Sequence, residues 1–249
     1  MTKRKFLSLL TALSVAAVVG FIALGETAPA DSQDPVVEGF KLTAIASVSD
    51  AVDEVTGKRG FMNYDMRPVI PGRIVGRALT AKLEPVKEGK SSAGGAVSHS
   101  VQMIDGAEPG EVGVIVVEDG LNIAAVGGLM MTAAKSRGMG GMILDGGARD
   151  VPELRTLGVP VYARSYTPAT AVGRYASVSK NETVHCAGVD VSPGDIIVAD
   201  EDGVVVVPKD HAAAVLEAAV LIDEKEGAMV PLIKKLKSLT EVIKKFNRI

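Results

Sequence analysis

Gly138-Met-Gly-Gly-Met-Ile-Leu-Asp-Gly-Gly-Ala-Arg-Asp150 is the stretch on which the reading of this chain turns. Gly138 stops a helical pattern over Asn122 to Arg137, in which Leu129, Ala133, Ala134 and Arg137 recur at helical spacing. Gly141 to Leu144 reads as a short apolar strand, and a Gly-rich loop then delivers the adjacent pair Arg149–Asp150. Loops at the ends of rigid strands are where scaffolds hold reactive groups. A cation beside a carboxylate at such a place suits a metal ion and an anionic substrate held together.

Outward from this stretch, helices and strands alternate. Asp150-Val-Pro-Glu153 is a capping-box-like helix start, with Asp150 as the cap, Pro152 in the first turn and Glu153 at the box position. That helix stops at Gly158, and Val159 to Ala163 is a further strand. Upstream, Val112 to Val117 is a buried-type strand entered through a turn at Glu108 to Glu111. Arg73 to Leu83 alternates as a strand after the turn signal Pro71-Gly72, and Val48 to Val55 is a short helix with Ser49 or Asp50 as its cap. Lys87 to Ser98 reads as a mobile loop. Its Gly89-Lys90-Ser91 resembles the end of a phosphate-binding loop, but Glu84 stands where that motif needs glycine.

The last third changes character. Thr183 to Val191 is strand-like, Ser192 to Asp195 is a turn, and Ile196 to Ala199 and Val204 to Val207 are strands joined by Asp200-Glu201-Asp202-Gly203. Asp-Gly is a strong hairpin signal. Helix follows from Lys209, and Pro231 to Phe246 is amphipathic and Lys-rich. That terminal helix reads as a packing or subunit-contact element, with membrane-surface attachment as the sharper alternative. The pattern implies an α/β fold with mixed sheets, not a regular doubly wound sheet.

Composition excludes several roles. The 249 residues carry a formal net charge of −3, with no Trp and 4% aromatic residues. No basic stripe and no stacking platform argue for nucleic acid. Cys186 is the single cysteine, so no intrachain disulfide forms, and its apolar neighbours suggest a buried structural thiol. His99, His185 and His211 show no metal-ligand spacing.

The chain opens with Lys3-Arg4-Lys5, an apolar run over Phe6 to Gly25, and Ala28-Pro29-Ala30, the order of a secretory signal with cleavage near Asp31. The start also loosely resembles a twin-arginine signal with Lys3 replacing the first arginine. An uncleaved anchor is the alternative, since about twenty apolar residues span a bilayer. The expected layout is a signal over 1–30, a loose leader over 31–47, the folded domain over 48–225 and an amphipathic helix over 226–249, in an exported, periplasmic protein.

Several blocks then match a known family in order. They are Ser49-Asp50-Ala51, Pro71 to Ala78, Gly127-Gly128-Leu129-Met130 with Ala133-Ala134-Lys135, Asp145 to Asp150, Gly158 to Arg164, and Pro193-Gly194-Asp195 through Asp202 to Pro208. From about Val48 to Ala218 the chain resembles the family that includes 4-hydroxy-4-methyl-2-oxoglutarate aldolase and the regulator of ribonuclease activity A. The resemblance implies an RraA-like swivelling β/β/α domain, assembled as trimers or pairs of trimers with sites near subunit contacts. It implies a divalent metal, Mg2+ or Mn2+, and a small 2-keto acid cleaved to pyruvate, or oxaloacetate decarboxylated.

By the same resemblance Asp150 is the metal ligand and Arg149 the catalytic, substrate-holding arginine. Gly128, Leu129 and Met130 are the segment whose amides receive the substrate carboxylate. Many members carry an acidic residue where Gly128 stands, so the departure bears on the substrate more than on the fold. Asp145 reads as a residue behind the metal or a turn residue. The Asp200–Asp202 run reads as a solvated hairpin tip or a wall of a neighbouring subunit's site. The alternatives to a lyase are a non-catalytic regulator and a protein that binds a keto acid without turnover.

Overall fold

The computed structural model describes residues 34–87 and 91–248, so the expected signal over 1–30 and the Gly89-Lys90 pair lie outside it. Helix begins earlier than the leader reading allows. Pro35–Lys41 (α1) is capped by the Asp34 carboxylate, which accepts from the Val36 N–H at 3.0 Å, and Phe40 is fully buried. Ile45–Thr56 (α2) starts ahead of Ser49 and Asp50, which therefore lie inside it and cap nothing. Asp223, far along the chain, does that work: its carboxylate accepts from the Ala44 N–H at 3.0 Å and from the Ser47 hydroxyl at 2.6 Å.

Arg67–Ile70 (β1) and Ile74–Pro85 (β2) follow. β2 is the long strand on which the sheet turns. Its first residues pair antiparallel with Ile196–Asp200 (strand β10 below), and its second half pairs parallel with Val112–Val117 (strand β3 below). The Lys87–Ser98 loop expectation is corrected: Ala93–Asp105 (α3) is helix, opened by Ser92, whose hydroxyl accepts from the Gly95 N–H at 3.0 Å. Its buried Ala96, Met103 and Ile104 fix it on the sheet.

Val112–Val117 (β3) is buried at every position, as its unbroken apolar run predicts. The helix expected from Asn122 instead begins with a strand, Ala124–Val126 (β4), followed by Gly128–Ser136 (α4). Gly141–Ala148 (β5) is longer than expected. Asp145-Gly-Gly-Ala148 is strand, not loop, paired with β4 on one side and with Val161–Tyr166 (β6) on the other. Gly147 sits there because a Cβ would fall 2.7 Å from Thr167 and 3.0 Å from the Ile123 carbonyl. Val151–Leu157 (α5) joins β5 to β6 and ends at Gly158 with φ 73, a left-handed cap that favours glycine.

Tyr175–Lys180 (β7), which the sequence reading passed over, pairs antiparallel with β2. The strand expected over Thr183 to Val191 is a hairpin, Val184–Cys186 (β8) and Val189–Val191 (β9), turned through Ala187 and Gly188 at positive φ. Ile196–Asp200 (β10) and Gly203–Val207 (β11) form the expected hairpin. Ala212–Leu236 (α6) continues through Pro231, turns at Lys237, and gives way to Leu239–Phe246 (α7), so the terminal amphipathic stretch is two helices.

The nine-stranded mixed sheet runs β1-β6-β5-β3-β2-β10-β11, with β4 beside β5 and β7 beside β2. This is the mixed α/β architecture the sequence pattern implies. One apolar group lies between the sheet and α3, α4 and α5, a second under the β8–β9 hairpin, and a third between β10–β11 and α1, α2 and α6. Cys186 is fully buried in the second group, and burial pushes its thiol well above the ordinary range. Among the described residues no helix is long and apolar enough to cross a membrane.

Candidate functional site

β4 and the end of β5 run parallel, and each leads into a helix. That arrangement sets the starts of α4 and α5 beside one another. The Arg149 N–H donates to the Val126 carbonyl at 3.1 Å, fixing the exit of β5 against the exit of β4. The segments of the two sequence blocks, Gly127–Met130 and Arg149–Asp150, are brought together in this way.

Asp150 does not cap α5 with its side chain, which corrects the capping-box reading. Its backbone is left-handed (φ 57), and its carbonyl accepts from the Glu153 and Leu154 N–H groups at 2.9 and 3.0 Å. The carboxylate is thereby turned across to α4, where Oδ2 accepts from the Gly128 N–H at 2.9 Å. A carboxylate at a helix start is favoured by the helix dipole. Arg149 Nε lies 3.6 Å from the same oxygen, too far for a hydrogen bond, and both side chains are about two-fifths exposed (41% and 43%).

Gly127 and Gly128 are the floor of the site. A Cβ on Gly127 would fall 2.6 Å from Asp150 Oδ2 and 2.8 Å from Arg149 Nε. A Cβ on Gly128 would overlap the Glu153 carboxylate, 2.5 Å from Oε1 and closer still to Oε2. Glu153 is a member of this constellation that the sequence reading placed only in a helix cap. The spacing Asp150-x-x-Glu153 was visible, but not that both carboxylates turn towards α4.

Leu129 and Met130 occupy the next positions of α4, whose first intrahelical acceptor, the Gly127 carbonyl, is taken by Met131. Their N–H groups have no acceptor among the described residues, as expected at a helix start. Leu129 is 88% exposed, so its side chain is not a packing residue, whereas Met130 rests against the core.

The other candidates separate from this corner. Asp145 is tied up: its Oδ1 accepts from Arg164 at 2.9 Å and its Oδ2 from the Ala187 N–H at 2.6 Å. Asp200 holds Arg73 at 3.1 Å, and the carbonyls of Glu201 and Asp202 accept from Arg67. A separate cleft of about 750 Å3 is lined by Lys82, Glu118, Asp119, Asp145, Arg164 and His185. Lys82 is paired there with Glu84 and Glu118 and Arg164 with Asp65 and Asp145, while His185 Nδ1 meets the Asp190 carboxylate. Such a cleft offers an anionic ligand no unpaired lysine or arginine among the described residues.

A hard divalent cation fits the corner. Asp150 Oδ1 carries no hydrogen bond among the described residues, the Glu153 carboxylate stands on the same glycine floor, and both are oxygen donors. Among the described residues no three His, Cys, Asp or Glu side chains converge to hold a metal. Mg2+ suits so sparse a set, because it keeps several waters and needs only one or two carboxylates.

Comparison with known proteins gives a consistent picture. A family model described as RraA-like, Aldolase/RraA, matches residues 45–206. An uncharacterized protein of Methanocaldococcus jannaschii is 37% identical over 133 residues, 53% of this chain and 63% of that protein. A Halalkalibacterium halodurans protein named "Putative 4-hydroxy-4-methyl-2-oxoglutarate aldolase" is 33% identical over 156 residues, 57% of this chain and 71% of that one. Among solved structures, an uncharacterized Pseudomonas syringae protein superposes with TM-score 0.75 at 26% identity, covering 85% of this chain and 93% of its own. Streptomyces coelicolor RraAS2, described as an unusual member of the RNase ES inhibitor RraA family, gives 0.69 at 25% identity, covering 78% and 94%.

Proposed function

The chain belongs to the RraA-like family, and from that membership we propose that it is a divalent-metal-dependent lyase acting on a small 2-keto acid. The reaction is retro-aldol cleavage of a 4-hydroxy-4-methyl-2-oxoglutarate-type acid to pyruvate, decarboxylation of oxaloacetate, or both. The observation that carries this reading is the open Arg149–Asp150 pair at the side-by-side starts of α4 and α5. The name of the H. halodurans relative supports it.

The free Leu129 and Met130 N–H groups receive the substrate carboxylate, since helix starts attract anions. Asp150 holds the metal through the oxygen that Gly128 leaves free. When bound, a divalent cation supplies a Lewis acid that draws charge from the keto oxygen. Arg149 steadies the same oxygen as carbon–carbon cleavage leaves an enolate, and its guanidinium is already placed before the charge develops. Loss of carbon dioxide from oxaloacetate leaves the same enolate, so one constellation serves both substrates.

The exposed Leu129 beside the site also supports closure by a neighbouring copy, in a trimer or pair of trimers. Export to the periplasm is proposed on the Lys3-to-Ala30 pattern alone. A regulatory role is the second reading, favoured by likeness to the RNase ES inhibitor relative.

Pyruvate release by the purified chain tests the proposal, with oxaloacetate and 4-hydroxy-4-methyl-2-oxoglutarate, each with Mg2+, with Mn2+ and with chelator. Turnover that needs metal and stops on chelation is the expected result. A folded protein inactive with every metal and both substrates overturns it in favour of regulation.

A further inference from the structure

We propose that the outward face of α6 is a contact seam for a second copy of this chain, packed antiparallel across a two-fold axis. This goes beyond the reaction proposed above and holds whether or not that reaction occurs. The inward face of α6 is committed: Ala212, Val215, Ala219 and Ile222 are buried in the third apolar group. On the outward side Glu217, Leu221, Glu224, Ala228, Pro231 and Lys235 are all exposed. Their spacing alternates four, three, four, three and four residues, the alternation of a two-helix seam. By the helix rise the seam runs for about 27 Å. A helix face meant for water is charged along its length, yet Leu221 here is 52% exposed and the adjoining Val220 38%.

The charges decide the partner and its direction. Glu217 stands at one end of the seam and Lys235 at the other. Among the described residues the ion pair made by an α6 side chain is that of Glu226 with Arg248, which leaves Glu217 and Lys235 without one. The alternating spacing reads the same in both directions. Two antiparallel copies centred on position 226 therefore set Glu217 opposite Lys235 at both ends, Leu221 opposite Pro231, and Glu224 opposite Ala228. Parallel copies would set glutamate on glutamate and lysine on lysine, a repulsive arrangement. A closed two-fold contact uses one patch on both copies, and this face of α6 supplies both halves.

Sedimentation velocity of the full chain tests the seam without any turnover, and circular dichroism checks that each variant folds. The wild type should sediment with about twice the mass of Glu217→Lys and of Lys235→Glu, whether the halves are single chains or rings. Combining Glu217→Lys with Lys235→Glu should restore the wild-type mass, because the same pairs form with their signs exchanged. A helix that is merely destabilised would not be rescued in this way. Glu224→Ala should tighten the association severalfold, because the two Glu224 carboxylates otherwise lie about 6 Å apart along the seam. Equal mass for the wild type and both single variants overturns the proposal. Halved mass in the single variants that the combined exchange does not restore overturns the antiparallel pairing, and the proposal with it.

Discussion

Two arginine–aspartate groupings lie along β5, one closed within the sheet at Asp145 and one open just past the strand's end at Arg149–Asp150. In the closed one, Arg164 places Nε and Nη2 on Asp65 at 2.9 and 2.8 Å and Nη1 on Asp145 at 2.9 Å. The second oxygen of Asp145 is taken by the Ala187 N–H. The Asp65 hydrogen bonds raise the affinity of Arg164 for its proton, and burial offsets only part of this. In the open one, Arg149 stops 3.6 Å short of Asp150, and only one carboxylate oxygen is used. The difference teaches how to tell a structural ion pair from a working one. A guanidinium whose donors are spent on its own chain braces strands, while one left short of its carboxylate can meet a ligand.

Four substitutions would break or sharpen that contrast. The largest effect belongs to Asp150→Asn. The amide oxygen can still accept from Gly128, and asparagine tolerates the left-handed backbone, so the fold should persist while metal-dependent pyruvate release falls to the level seen with chelator. Equal activity in this variant would end the metal assignment. Next, Arg149→Ala should lower kcat by about 10²–10³-fold, the typical cost of losing one preorganised oxyanion donor, with an unchanged melting temperature. A drop in stability instead would show that Arg149 braces the fold as Arg164 does.

Arg164→Ala should do the opposite. Removing the shared partner leaves two carboxylates facing each other and should cost about 3 kcal/mol in urea unfolding, with activity per folded molecule retained. The smallest effect is expected at Asp34, whose contact with Arg77 is partly exposed. Burial raises its carboxyl, but the hydrogen bonds and charge of Arg77 outweigh that and hold it below the ordinary 3.8. A lowered carboxyl stabilises the fold above its unfolded value, and that stability disappears as pH falls through the folded one. Asp34→Asn should therefore cost up to about 1 kcal/mol near pH 7, and the gap should close below pH 3.8. A gap that persists in acid would point to the helix cap rather than the charge.

Local chemistry was legible in the sequence where the chain itself supplies the partner. β3 is an unbroken apolar run, Asp-Gly turns β10 into β11, and Gly158 ends α5 in the conformation glycine favours. What escaped needed a distant partner. The start of α2 is held by Asp223, and Ala124–Val126 is too short and too plain to be told from a helix start without β5 beside it. Gly146-Gly147 looked like loop because glycine marks turns, yet here it admits neighbouring backbone and side chains into a strand. The pair Arg149–Asp150 was found from sequence, but the direction of its carboxylate was not. That direction follows from the left-handed backbone at Asp150, which turns the side chain away from its own helix.

That backbone has an evolutionary side. Few residues other than glycine sit comfortably at φ 57, and asparagine and aspartate lead them. A single-base change in an aspartate codon yields asparagine or glycine. Inheritance can therefore silence the carboxylate while leaving the helix start, the strand exits and the surface intact. A scaffold of this kind sheds its chemistry in one step and survives to be selected for something else, such as holding another molecule.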